Sequence, residues 1–153
     1  MRILGIDPGT GIVGFGIIDR DGHKNELVDA GVIRTPAHQP AHERLVIIHD
    51  DMKGIIKQHN PEVMVVEQLF FAKNVTTAMT VSQARGVILL IGEQMGLKIA
   101  EYTPLQIKQA LTGYGRAGKS EIQEMVRLQL KLKETPKPDD AADALAAALT
   151  YSS

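Results

Sequence analysis

The sequence predicts an α/β protein built on a mixed five-stranded sheet, three antiparallel strands and two parallel ones, with helices on both faces. Three observations carry this. The first 34 residues run as apolar segments broken by glycine-containing turns, the signature of a β-meander. From Ala41 onward, apolar residues at helical spacing alternate with short aliphatic runs, the signature of crossover units that add parallel strands. The 153 residues, 44% apolar and 23% charged, are enough to bury a core around such a sheet.

The elements follow in order. Arg2 to Ile6 is an apolar strand that stops at Asp7-Pro8-Gly9, where proline and glycine mark a turn. Gly11 to Ile18 reads as a second strand whose small residues let something approach closely. Asp21-Gly22 turns the chain into a third strand around Glu26 to Arg34. Leu45, Ile48, Met52, Ile55 and Ile56 give an amphipathic helix from Ala41 to His59, ended by Asn60-Pro61. Val63 to Val66 is a short buried strand that stops at Glu67. Val81, Ile88, Ile91 and Met95 mark a long helix from Thr76, closed by Gly96. Lys98 to Tyr102 is the fifth strand. Thr103-Pro104 caps and starts a helix; a glycine-rich loop, Thr112 to Lys119, leads into another, for which Ser120 and Gln123 have capping-box spacing. The last helix starts near Pro138-Asp139-Asp140 and is rich in alanine. No linker or repeat interrupts residues 1–153, so one domain is expected.

The chain has no cysteine, which excludes a disulfide scaffold, a thiolate zinc site and a cysteine nucleophile, and fits the cytoplasm. The longest aliphatic run, Val87 to Ile91, is too short to span a bilayer, and the N-terminus lacks a secretory pattern, so no membrane role is expected. The net charge of −1 conceals an uneven distribution: residues 98–137 carry eight basic against four acidic side chains, and residues 138–153 carry three aspartates and nothing basic. A basic stretch beside an acidic cluster suits an enzyme that grips a polyanion and holds cations.

Four carboxylates stand where burial is costly. Asp7 and Glu67 end two strands that, as parallel neighbours, would release both side chains at the edge where open α/β sheets bind ligands. Asp140 and Asp143, three residues apart, share one face of the last helix. Clustered carboxylates repel one another unless a cation sits between them. Hard oxygen donors select Mg²⁺ or Mn²⁺, and two such ions about 4 Å apart can activate a water and stabilise the leaving oxygen in phosphoryl displacement.

Gly5-Ile6-Asp7-Pro8-Gly9, Val65-Val66-Glu67-Gln68 with Phe70 and Ala72-Lys73-Asn74, Gln83-Ala84-Arg85-Gly86, and Asp140-Ala-Ala-Asp143-Ala-Leu keep the motifs and order of a known family. Together they resemble the RuvC family, Holliday junction resolvases of ribonuclease H-like fold. The resemblance implies a homodimeric endonuclease of recombination and repair that uses Mg²⁺, two ions per site, with Mn²⁺ able to substitute. Such an enzyme nicks a four-way DNA junction at symmetric positions and leaves 5′-phosphate and 3′-hydroxyl ends. Asp7, Glu67, Asp140 and Asp143 correspond to the family's metal-binding catalytic carboxylates, while Asp139 is an extra neighbour. The resemblance also implies RuvA and RuvB, the branch-migration proteins, as partners.

Several residues suggest contacts to DNA. Phe70 and Phe71 follow Glu67 closely, and an exposed aromatic beside a nuclease site can stack on a splayed base. The resemblance favours Phe70. Lys73, Asn74 and Arg85 flank that point as phosphate or sugar contacts. Gly113 to Ser120 matches a nucleotide-binding P-loop in pattern, yet it follows a helix where a P-loop follows a strand. Its flexible amides with Arg116 and Lys119 suit a DNA backbone instead, and Lys108 and Lys119 fall where the family has basic residues. His38, His42, His49 and His59 read as a solvated helix face rather than a metal site. Two other readings compete: a nucleotide-binding module of the actin and Hsp70 kind, which shares a glycine-rich first hairpin after an aspartate, and a related nuclease family of ribosomal RNA processing. A long apolar helix from Thr76 to Met95 offers a surface for a homodimer.

Overall fold

The computed structural model describes residues 1–68 and 75–151. The strands are β1 (Arg2–Asp7), β2 (Ile12–Asp21), β3 (Lys24–Arg34), β4 (Val63–Glu67) and β5 (Lys98–Tyr102). The helices are α1 (Ala41–His59), α2 (Val75–Gln94), α3 (Pro104–Thr112), α4 (Lys119–Gln129) and α5 (Asp139–Thr150). The sheet order is β3-β2-β1-β4-β5, with β1, β2 and β3 antiparallel and β4 and β5 parallel to β1. The predicted fold class therefore holds, with three antiparallel and two parallel strands.

Most boundaries follow local chemistry. Gly22 sits at φ +62° in a two-residue turn, since Asp21 pairs with Lys24. The two strands it joins are longer than their apolar runs suggested, because cross-strand pairing extends into polar residues such as Arg20 and Asn25. Thr103 caps α3 as expected: Thr103 Oγ1 accepts from the Gln106 amide at 3.1 Å, and Gln106 Oε1 accepts from the Thr103 amide at 2.9 Å. At α4 the cap differs from expectation. Gly118 is the N-cap, and Glu121 Oε1 accepts from its amide at 3.3 Å, so Ser120 lies inside the first turn.

Two cores form, one on each sheet face. Leu4, Ile6, Met64 and Val66 point toward α1 and α2, while Ile3, Val63 and Val65 point toward α3, α4 and α5. Glycines let α5 lie almost directly on the sheet. A Cβ at Gly5 would stand 2.0 Å from the Ala144 carbonyl oxygen, and one at Gly14 the same distance from that of Asp140. At the far end, the Arg20 guanidinium on β2 donates to the Leu149 carbonyl at 3.1 Å and to that of Tyr151, tying down the C-terminus of α5.

By length and composition α2, at 20 residues, is apolar enough to cross a bilayer, although no single aliphatic run is. Its Ala84, Ile88 and Ile91 are buried in the core with Ile48, Met52 and Ile56 of α1. That is the packing of a core helix. Its other face presents Val75, Met79 and Leu90, which are 65%, 63% and 53% exposed.

Candidate active site

Strand periodicity places the first two carboxylates. Ile6 pairs with Val66 across the parallel β1–β4 ladder, so Asp7 and Glu67 follow at equivalent steps at one sheet edge. Because Ile3 faces α5, and Gly5 meets it, Asp7 turns to the same side, and Glu67 follows Val63 and Val65 in the same way. The close seat of α5 at Gly14, the partner of Asp7 on β2, brings in the first turn that carries Asp140 and Asp143. Three elements thus deliver four carboxylates to one point.

The electrostatic consequence is large. Asp7 is pushed up to about 8, first by burial and then by the charges of Glu67, Asp143 and Asp140. A hydrogen-bonding interaction with Asp140 adds to the rise of Asp7, and one with Asp7 works against the rise of Glu67. Glu67 is raised by burial and by Asp143. Burial likewise raises Asp143, an effect opposed by the nearby Lys119. Among the described residues no three such groups already encircle a point as metal ligands. The donor set nevertheless fits a hard divalent cation. Four oxygen-only side chains crowd together, and the buried Asp7 is raised further by the charges of the other three.

Glu67 separates two cavities. One, about 270 Å³, is lined by Glu67, Asp143, Lys108 and Lys119 with Pro104, Ile107, Ile122 and Ala146. The other, about 160 Å³, is lined by Asp7, Pro8, Glu67, Gln68, Val81, Arg85 and Pro104. Lys108 and Lys119 therefore face the carboxylates directly. Asp139 turns elsewhere: its Oδ2 pairs with Lys119 Nζ at 3.2 Å and its Oδ1 accepts from Gln123 Nε2 at 3.1 Å. Lys119 is held well in its charged form by Asp139 and then by Asp143.

The remaining candidates lie further out. Arg116 is exposed on the loop before α4 and lines neither cavity. Phe70, Phe71, Lys73 and Asn74 lie outside the described residues. Arg85, expected as a DNA contact, lines the cavity with Asp7 and is also engaged within the fold: its Nη2 pairs with Glu101 Oε2 at 3.1 Å, and its Nε donates to the Glu67 carbonyl at 3.4 Å. Glu101 was not singled out from the sequence, and Gln68 stood there only as part of a motif, without a role. Only the β4–β5 register, which sets Glu101 opposite Val66, brings them together. His49 and His59 pair with Asp50 and Asp29, away from the carboxylates. The P-loop-like segment follows α3, as its sequence context indicated.

A ribonuclease H-like sheet with acidic residues at the ends of its first and fourth strands, completed by an acidic helix, defines a metal-dependent phosphodiester hydrolase. A family model for crossover junction endodeoxyribonuclease RuvC matches residues 3–151. The RuvC of Halothermothrix orenii is 57% identical over 99% of this chain and 92% of its own length, and that of Brevibacillus brevis is 56% identical over 99% and 91%. The solved structure of Thermus thermophilus RuvC in complex with a Holliday junction substrate superposes with a TM-score of 0.92 at 39% identity, covering 98% of this chain and 92% of that one. The chain belongs to the RuvC family of nucleases.

Proposed function

We propose that this protein resolves four-way DNA junctions by paired, symmetric, Mg²⁺-dependent nicks that leave 5′-phosphate and 3′-hydroxyl ends. The observation that carries the reading is the convergence of Asp7, Glu67, Asp140 and Asp143 beside Lys108 and Lys119. The RuvC relatives are named for this activity, and the Thermus thermophilus protein binds a Holliday junction.

Asp7, Glu67, Asp140 and Asp143 would hold Mg²⁺, with Mn²⁺ as a substitute, two ions per site. Bound there, the ions supply Lewis acidity that generates a nucleophilic water and stabilises the leaving oxygen. Asp7 must first give up its proton, so cation uptake at neutral pH releases one. Lys108 and Lys119 place two positive charges on the cavity wall, where the non-bridging oxygens of a phosphate gain charge during displacement. Water oxygen bonds to phosphorus, the bond to the 3′-oxygen breaks, and that oxygen leaves as a hydroxyl. Arg116 extends the basic surface along the DNA backbone; by the family resemblance Phe70 would stack on a splayed base, with Lys73 and Asn74 as phosphate or sugar contacts.

A two-fold junction cut twice calls for two equivalent sites, hence a homodimer. The outer stripe of α2 supports it: Met79, Gly86 and Leu90 recur at helical spacing, and a Cβ at Gly86 would meet open space. Leu90→Asp should shift the protein to monomer in sedimentation and abolish paired nicking. RuvA and RuvB are the partners this reading expects, in the bacterial cytoplasm.

Strand-resolved cleavage of a synthetic four-way junction tests the proposal. Paired nicks in Mg²⁺, absent in EDTA and absent on linear duplex, are the expected result. Binding without cutting in both Mg²⁺ and Mn²⁺ would overturn the mechanism.

A further inference from the structure

The carboxylates occupy one face of the sheet, but Glu67 is also engaged from the other. Val66 faces the α1–α2 side, and so do Glu101, its partner in β5, and Gln68, which continues the alternation one residue past β4. There Glu101 Oε2 receives Gln68 Nε2 at 3.3 Å and the Arg85 guanidinium at 3.1 Å. Arg85 reaches on to the Glu67 carbonyl at 3.4 Å, and the Gln68 amide extends the β4–β5 ladder to the Tyr102 carbonyl at 2.8 Å. We infer that Arg85, Glu101 and Gln68 form a brace that fixes the backbone of Glu67 from behind the sheet, which makes Arg85 and Glu101 positioning residues of the nuclease site.

Burial separates this from a DNA contact. The Arg85 side chain is 18% exposed, and Nη2 is closed to solvent without a well-directed hydrogen bond. Nη2 is thereby turned to Glu101 rather than open to a phosphate oxygen. The guanidinium serves as a charge between α2 and β5, holding the helix against the strand at the level of Glu67. Glu67 needs such support because it stands at the open end of β4, one step past the last β1–β4 pair and between two cavities. A ligand displaced by an ångström costs catalysis about a hundredfold, so loosening the brace should act on cation uptake and rate while sparing the DNA surface.

The inference rests on the nuclease reading, and its test keeps the two apart. Arg85→Gln, Arg85→Lys and Glu101→Gln would be made in the full chain, with folding checked by circular dichroism. Three quantities are measured: junction affinity against salt in EDTA, single-turnover cleavage against Mg²⁺, and the Mg²⁺-induced rise in melting temperature. The brace predicts unchanged affinity and salt slope, a cleavage rate lower by about tenfold or more, a higher half-saturating Mg²⁺ concentration, and a smaller melting shift in both Arg85→Gln and Glu101→Gln. Arg85→Lys should recover part of each. Glu101→Gln is the sharpest arm, since removing a negative charge favours DNA binding yet should slow cutting. It also decides alone if Arg85→Gln does not fold, Glu101 being the more exposed partner. Weaker binding with a shallower salt slope in Arg85→Gln, and a normal rate in Glu101→Gln, would make Arg85 a phosphate contact and overturn the brace. A wild-type protein that cuts nothing would sink the nuclease reading, while the melting shift would still judge the brace.

Discussion

Replacing Asp7 with asparagine should stabilise the metal-free protein while abolishing cleavage. Asp7 moves from 3.8 in the unfolded chain to about 8 in the fold. A carboxyl raised on folding contributes stability below its unfolded value and loses it as pH climbs to its folded value. Across that interval, at about 1.4 kcal/mol per pH unit, the loss approaches on the order of 5 kcal/mol. Asparagine keeps the shape and never ionises. Its advantage over wild type should be near zero at pH 4, grow through neutrality and level off above about pH 8. At the plateau it corresponds to a melting difference of at most roughly 10–20 °C for a chain of this size. Thermal denaturation in EDTA across pH 4 to 9 measures it directly. Added Mg²⁺ should close the gap by raising wild type alone, because a cation stabilises the form that binds it. A wild-type protein that melts at or above Asp7→Asn at pH 8.5 without metal, or a gap that narrows as pH rises, would refute this account of the cluster.

Further outcomes follow from individual contacts. Gly14→Ala would drive a Cβ to 2.0 Å from the Asp140 carbonyl oxygen; denaturant titration should show a loss of about 1–3 kcal/mol or more. Cleavage should fall beyond what stability explains, because α5 must lift Asp140 and Asp143 off Asp7. Lys119→Ala should weaken junction binding and lower its salt slope by about one, read by titration from low to moderate salt; an unchanged slope removes Lys119 from the DNA surface. Asp139 and Asp140 are adjacent but differently used: Asp140→Asn should abolish single-turnover cleavage. Asp139→Asn, which weakens only an exposed pair to Lys119, should slow cleavage by less than about tenfold.

Much of the site was legible before the fold. Period-two alternation and the parallel-strand argument predicted that Asp7 and Glu67 emerge at one edge, and Ile6 pairs with Val66 as that argument requires. The glycines of β2 and the alanines of α5 announced a close approach, and their meeting at Gly14 brings Asp140 to Asp7. Other features resisted. The α4 cap passed from Ser120 to Gly118, whose amide donates to Glu121 Oε1, while the Tyr114 hydroxyl donates to Glu121 Oε2 at 2.5 Å. Asp139 carries the same chemistry as Asp140 but points to Lys119 and Gln123.

The sequence by itself therefore determined the elements, their order and the four acids. Each of these depends on a residue and its near neighbours, through period, capping and turn chemistry. The tertiary structure alone decided which side chains meet across the sheet. Arg85 is on α2, Glu101 on β5 and Gln68 just past the end of β4, and nothing local to any of them encodes the partner. The unusual charge state of Asp7 is decided there too, since it arises from burial beneath α5 and from three acids far from it in the chain.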